Sequence, residues 1–179
     1  MKKVFWFIVG ITAFILLFLS LTSVQAETIR GKARVIDGDT IEINGEKIRL
    51  LCIDTPESNY RNKTQYCLDN ETDCGLLAKK ALKQFINKKE VWCEYEKRDI
   101  YGRILGMCQE YSYWNTYPYW GTYNYEMIYN GYAWYYPGGK ECKEFKETFE
   151  NAVKEERGLF NEDLGGFKEP KLWRKTKSN

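Results

Sequence analysis

Beyond its first 26 residues the chain alternates between two hydrophobic periodicities. Residues 28–36 place apolar and polar side chains in turn and read as a strand. Residues 40–43 and 47–53 are two more, joined across Asn44-Gly45, a strong two-residue hairpin signal, and Pro56 ends the second. Residues 58–73 are polar and read as a loop. From 76 to 86 the period becomes helical, with Ala78, Leu82, Phe85 and Ile86 on one face. Residues 90–95 and 104–108 are strands again, joined by a polar turn over 99–103. A short helix is predicted over 124–129, with Asn124 as N-cap and Gly131 just past its end. A longer helix over 141–157 buries Phe145, Phe149, Ala152 and Val153, and Gly158 stops it. Five short strands with interleaved helices fit a small α+β barrel, an OB-fold among them. Residues 27–164 form this domain. Residues 168–179 carry five basic residues against one acid, so 165–179 is expected to be a mobile basic tail.

The first 26 residues are not read as fold. Lys2 and Lys3 precede an apolar run from Val4 to Leu21, and Val24-Gln25-Ala26 is a plausible peptidase site. The segment is a signal peptide cut after Ala26 or, being almost long enough to span a bilayer, a membrane tether over residues 4–24. Both readings put the domain outside the cytosol, secreted or periplasmic. The 27 Lys+Arg and 25 Asp+Glu of the chain become 25 of each once Lys2 and Lys3 are removed. Formal neutrality argues against a sequence-blind coat protein, which needs a large basic excess.

The chain has six cysteines and no histidine. The missing His excludes Ser-His-Asp and Cys-His catalysis and His zinc ligands. No pair of cysteines is spaced C-x-x-C, and an even count in an exported chain favours disulfides. Cys67 and Cys74 bracket a polar loop, and Cys93 and Cys108 lie on adjacent predicted strands, leaving Cys52 and Cys142. Residues 109–125 are an aromatic insertion containing Tyr111, Tyr113, Trp114, Tyr117, Tyr119, Trp120, Tyr123 and Tyr125. It is a base-stacking platform, an extra hairpin packed on the barrel, or a contact patch for protein or membrane.

The candidate chemistry lies in two acidic clusters, Asp37-Gly38-Asp39-Thr40 and Asp54-Thr55-Pro56-Glu57. Either alone is ordinary turn chemistry. One hairpin, however, brings both to the same barrel mouth, where carboxylates repel unless something positive joins them. Oxygen donors without His or Cys suit a hard cation, Ca²⁺ or Mg²⁺. Arg49 interrupts an apolar strand, where a charge is expensive unless it faces a partner. Arg103 opens another strand, and a surface ion pair with Asp99 would account for it taken alone. A cation, a carboxylate base and two planar guanidinium groups are what phosphodiester hydrolysis requires.

Three blocks then line up: Arg34-Val35-Ile36-Asp37-Gly38-Asp39-Thr40-Ile41, Ile48-Arg49-Leu50-Leu51-Cys52-Ile53-Asp54-Thr55-Pro56-Glu57, and Asp99-Ile100-Tyr101-Gly102-Arg103. In residues and in order they resemble the signature of the staphylococcal nuclease family. The resemblance implies an OB-fold five-stranded barrel with three helices and a Ca²⁺-dependent nuclease acting on DNA and RNA, single- or double-stranded. Little sequence preference and 3′-phosphate products are also implied. It implies Asp39, Asp54 and the Thr55 carbonyl as metal ligands and Glu57 as general base. Arg49 and Arg103 would be transition-state arginines, and Tyr101, with one of Tyr132, Tyr135 and Tyr136, would line the nucleotide pocket. A monomer without a protein partner is expected. The competing reading is a catalytically silent OB module that binds nucleic acid or protein at the cell surface. Ile100 stands where the family commonly has a basic residue, and the long 58–73 loop and the aromatic insertion are additions to its core pattern.

Overall fold

The computed structural model describes residues 26–113, 121–138 and 142–177. The predicted export segment up to residue 25, and residues 114–120 of the aromatic insertion, lie outside the described residues. The strands are β1 (Glu27–Lys32), β2 (Arg34–Asp37), β3 (Thr40–Ile43), β4 (Glu46–Leu50), β5 (Ile53–Asp54), β6 (Glu90–Arg98), β7 (Ile104–Glu110) and β8 (Trp134–Tyr135). The helices are α1 (Cys74–Ile86), α2 (Tyr123–Tyr129), α3 (Lys143–Lys154) and α4 (Pro170–Lys177).

Six strands form one sheet in the order β1-β6-β7-β4-β3-β2, and β5 pairs with β8. All pairings are antiparallel except β4 with β7. β1 and β2 lie at opposite edges, yet only Ala33 separates them in the chain. The sheet must therefore curl, and Asn44 Nδ2 stitches the β3–β4 turn to β1 by donating to the Arg30 carbonyl at 3.1 Å. Taken as one bent strand, β1–β2 with β3, β4, β6 and β7 gives the five strands expected of an OB-like half-barrel.

Ile41, Ile43, Ile48, Leu50, Val91 and Ile104 fill the inside, covered by Ala78, Leu82 and Ile86 of α1 and Met127 and Ile128 of α2. Each such aliphatic side chain contributes about 1.5–3 kcal/mol on burial. A second aromatic cluster joins Trp134 to Phe149 of α3 at 4.9 Å and to Phe167 at 5.9 Å. All six cysteines are paired, as Cys52–Cys142, Cys67–Cys74 and Cys93–Cys108.

Several expected boundaries shift for identifiable reasons. α1 begins two residues earlier than the expected start at 76, because Asp73 Oδ1 accepts from the Leu76 N–H at 2.7 Å and caps it. The N-cap of α2 is Thr122, whose side chain accepts from the Tyr125 N–H, not Asn124. Asn124 is fully buried instead. Its Nδ2 donates to the Leu51 and Gly106 carbonyls at 2.9 and 3.0 Å, and its Oδ1 accepts from the Cys108 N–H at 2.9 Å. The strand expected over 47–53 breaks at Cys52, which takes a left-handed φ of 69°. α3 is shorter than expected, with left-handed Glu156 (φ 52°) ending the helical path before Gly158. The largest departure is the expected tail. Residues 170–177 form a fourth helix among the described residues, α4, held down by buried Pro170 and by Trp173, which packs edge-on against Tyr60 at 6.2 Å.

Candidate active site

The site sits where β3 and β4 diverge at one end of the barrel. Register brings its parts together: Thr40 lies opposite Arg49, and the Leu50 N–H donates to the Asp39 carbonyl at 2.8 Å. The turn through Leu51 and left-handed Cys52 sends β5 back, so that Asp54 returns to the same guanidinium. Arg49 Nη1 lies 2.6 Å from Asp39 Oδ2, and its Nη2 lies 2.6 Å from Asp54 Oδ1. Asp39 and Asp54 are 6 % and 1 % exposed at their side chains. The Thr55 N–H also points to Asp39 Oδ2, at 3.4 Å. The two acidic clusters can approach because Gly38 has no side chain; a Cβ there would fall 2.7 Å from Thr55 Oγ1.

Glu57 is fixed from the loop side. Its carbonyl accepts from the Gln65 N–H at 2.8 Å, and its N–H points to Gln65 Oε1 at 3.4 Å. Gly75, at the start of α1, packs so closely that a Cβ would meet the Glu57 carbonyl oxygen at 2.2 Å. A second guanidinium then enters from α4. Arg174 Nη1 lies 2.5 Å from Glu57 Oε1 and 3.2 Å from Asp54 Oδ1, and its Nη2 lies 2.8 Å from Asp54 Oδ2.

Three carboxyl groups, those of Asp39, Asp54 and Glu57, thus share two guanidinium groups, and Asp37 lies close enough to add its charge. Burial, aided by the charges of Asp39 and Asp37, pushes Glu57 up to about 7 despite its bond to Arg174. Burial and Asp39 likewise push Asp37 up to about 6, against the hydrogen bond from Gly38 and the charge of Lys79. For Arg49, burial opposes the charge, but Asp39 and Asp54 outweigh it and hold the group above its usual range. The site is short of positive charge, and its donors are all oxygens. Arg174 already stands as a cation between Asp54 and Glu57. An all-oxygen donor set suits a hard divalent ion, for which Asp39, Asp54 and the Thr55 carbonyl are the candidate ligands. Among the described residues, no three His, Cys, Asp or Glu side chains form a group arranged to hold a metal ion.

The other expected residues lie around this centre. Arg103 directly precedes Ile104, the register partner of Ile48, and so falls on the sheet face of Arg49. Its direct partner is Asp99, with Nε and Nη2 both 2.7 Å from Asp99 Oδ2. Burial works against the Asp99 charge, but the Arg103 guanidinium and the turn N–H groups keep its carboxyl below the usual range. Tyr101, 78 % exposed, lies beside Arg103, 5.7 Å from the guanidinium carbon to the ring centroid. Tyr135 pairs with Ile53 in the β5–β8 ladder, next to Asp54. The Tyr136 N–H donates to the Cys52 carbonyl, and Lys171 of α4 lies over its ring. Arg174 and Gln65 were not expected. The only sequence signal for Arg174 was its place next to a tryptophan in a basic segment.

A family model described as "Staphylococcal nuclease homologue" matches residues 47–162. An uncharacterized endonuclease of Escherichia coli is 30% identical over 83% of this chain and 88% of its own length. Endonuclease YhcR of Bacillus subtilis is 30% identical over 73% of this chain but only 11% of its own length. The succinoglycan biosynthesis protein ExoI of Rhizobium meliloti is 44% identical over 46% of this chain. The chain spans 43% of the ExoI length.

Proposed function

Because the chain belongs to the staphylococcal nuclease family, we propose that it is an exported, Ca²⁺-dependent nuclease. It hydrolyses phosphodiester bonds in DNA and RNA with little sequence preference and leaves 3′-phosphate ends. One observation carries the reading: Arg49 spans Asp39 and Asp54 at 2.6 Å each, with Glu57 one guanidinium away.

In this reading Asp39, Asp54 and the Thr55 carbonyl would hold the calcium ion. The bound ion supplies positive charge next to the phosphate oxygens. Glu57, at the buried edge of the cluster, accepts the proton of the attacking water at a carboxylate oxygen. Arg49, oriented by two carboxylates, donates to the phosphate and matches the charge that builds in the transition state. Arg103 turns from Asp99 to the phosphate and assists the leaving oxygen. Tyr101, with Tyr135 or Tyr136, offers ring surface to a base or sugar, worth about 1–3 kcal/mol per stacked base. Three disulfides support an oxidising compartment. No helix among the described residues is long and apolar enough to cross a membrane, and the segment up to Ala26 is proposed as the export signal or tether. We take the enzyme to act as a monomer.

Digestion of plasmid DNA and of RNA, with Ca²⁺ and with a chelator in excess, tests the proposal. Cutting that requires the metal, and fragments carrying 3′-phosphate and free 5′-hydroxyl ends, are expected. Cutting that continues in chelator, or no cutting of either polymer, contradicts it.

A further inference from the structure

α4 is docked into the 58–73 loop, which the Cys67–Cys74 disulfide closes. Trp173 packs on Tyr60, and Gln65 Nε2 donates to the Lys168 carbonyl at 2.6 Å just ahead of the helix. Gln65 is the residue that also holds the Glu57 backbone. The same loop therefore fixes the proposed base and delivers Arg174 to it. Arg174 bonds both oxygens of Asp54 as well as Glu57. Asp54 Oδ1 is shared with Arg49, so both oxygens of this buried carboxylate already have guanidinium partners.

We propose that Arg174 is an internal cation that competes with the divalent ion for Asp54, and so sets the metal affinity of the site. The inference rests on the calcium reading above. A metal ion bound by Asp54 needs a carboxylate oxygen that Arg174 now holds, at 3.2 Å from Oδ1 and 2.8 Å from Oδ2, so the arginine must give way when the ion enters. Arg174 carries one charge and is tethered by a short helix; the metal carries two and arrives from solution. Without metal, Arg174 offsets part of the acidic excess and holds α4 in place. With metal, the arginine withdraws and α4 loosens. Linkage makes the relation reciprocal: whatever the arginine contributes to the metal-free state is subtracted from metal binding.

Calorimetric titration of Ca²⁺ into the metal-free whole protein tests this, comparing wild type with Arg174→Gln and Arg174→Lys. The proposal expects Arg174→Gln to bind Ca²⁺ about tenfold more tightly or better, with Arg174→Lys between it and wild type. It also expects a larger Ca²⁺-induced rise in Tm for Arg174→Gln. Amide exchange over residues 170–177 of the wild type should speed up when Ca²⁺ is added. This readout stands even where a variant folds poorly without metal. Equal or weaker Ca²⁺ binding by both variants, or unchanged exchange in α4, overturns the competition while leaving the calcium reading intact. Absence of Ca²⁺ binding by wild type and variants alike overturns both.

Discussion

Arg49 is the residue on which the site's geometry turns. It joins two carboxylates that are nearly sealed from solvent, and its own side chain is 17 % exposed. Such a group is costly to remove, because Asp39 is left buried without its ion pair and Asp54 keeps only Arg174. Arg49→Met is expected to lower stability by about 3–5 kcal/mol, read as the shift in urea unfolding of the metal-free protein. A loss below about 1 kcal/mol, the range of exposed pairs, contradicts the buried-network account. The sequence made Arg49 conspicuous for the same physical reason: a charge within the run Ile48–Ile53 demands a partner. Arg174 gave no such signal. It lies among lysines in a segment with a single acid, and nothing local says that its partners are Asp54 and Glu57, 120 and 117 residues away.

At the scale of elements, hydrophobic period and turn chemistry were legible, and tertiary hydrogen bonding was not. The hairpin at Asn44-Gly45, the face of α1 and the pairing of Cys93 with Cys108 across β6 and β7 follow from local pattern. Asn124 shows where pattern misleads. An asparagine before a helical run reads as a cap, yet Thr122 supplies the cap and Asn124 bonds three backbone groups of other elements. It ties α2 to β7 and to Leu51, at the turn that returns Asp54 to the site. Asn124→Leu keeps the volume but removes the amide that serves the Leu51 carbonyl and the Cys108 N–H, while the Gly106 carbonyl keeps the Leu51 N–H. It is expected to cost about 2–5 kcal/mol in chemical unfolding. A neutral effect contradicts this role. Likewise β1–β2 reads as one strand in the sequence, and only the sheet order reveals that it bends at Ala33 to serve both edges.

Across the whole molecule, the half-barrel, the disulfides and the two acidic clusters converge on one rim. Cys52–Cys142 closes a span of 90 residues and anchors the turn beside Asp54 to the start of α3. The pairing was legible only as the remainder after two local pairs, since no local pattern links cysteines so far apart. The acidic clusters were legible together because a hairpin must join its own ends. The fourth helix was not, because its docking depends on Tyr60 and Gln65 in a loop without periodicity. The central claim is that this rim hydrolyses phosphodiesters with Glu57 as the base. The most direct measurement is the single-turnover cleavage rate of one oligonucleotide at saturating Ca²⁺, for wild type and Glu57→Gln. The account predicts a loss of about 10²–10⁴-fold with substrate affinity largely kept. Equal rates for the two proteins contradict it.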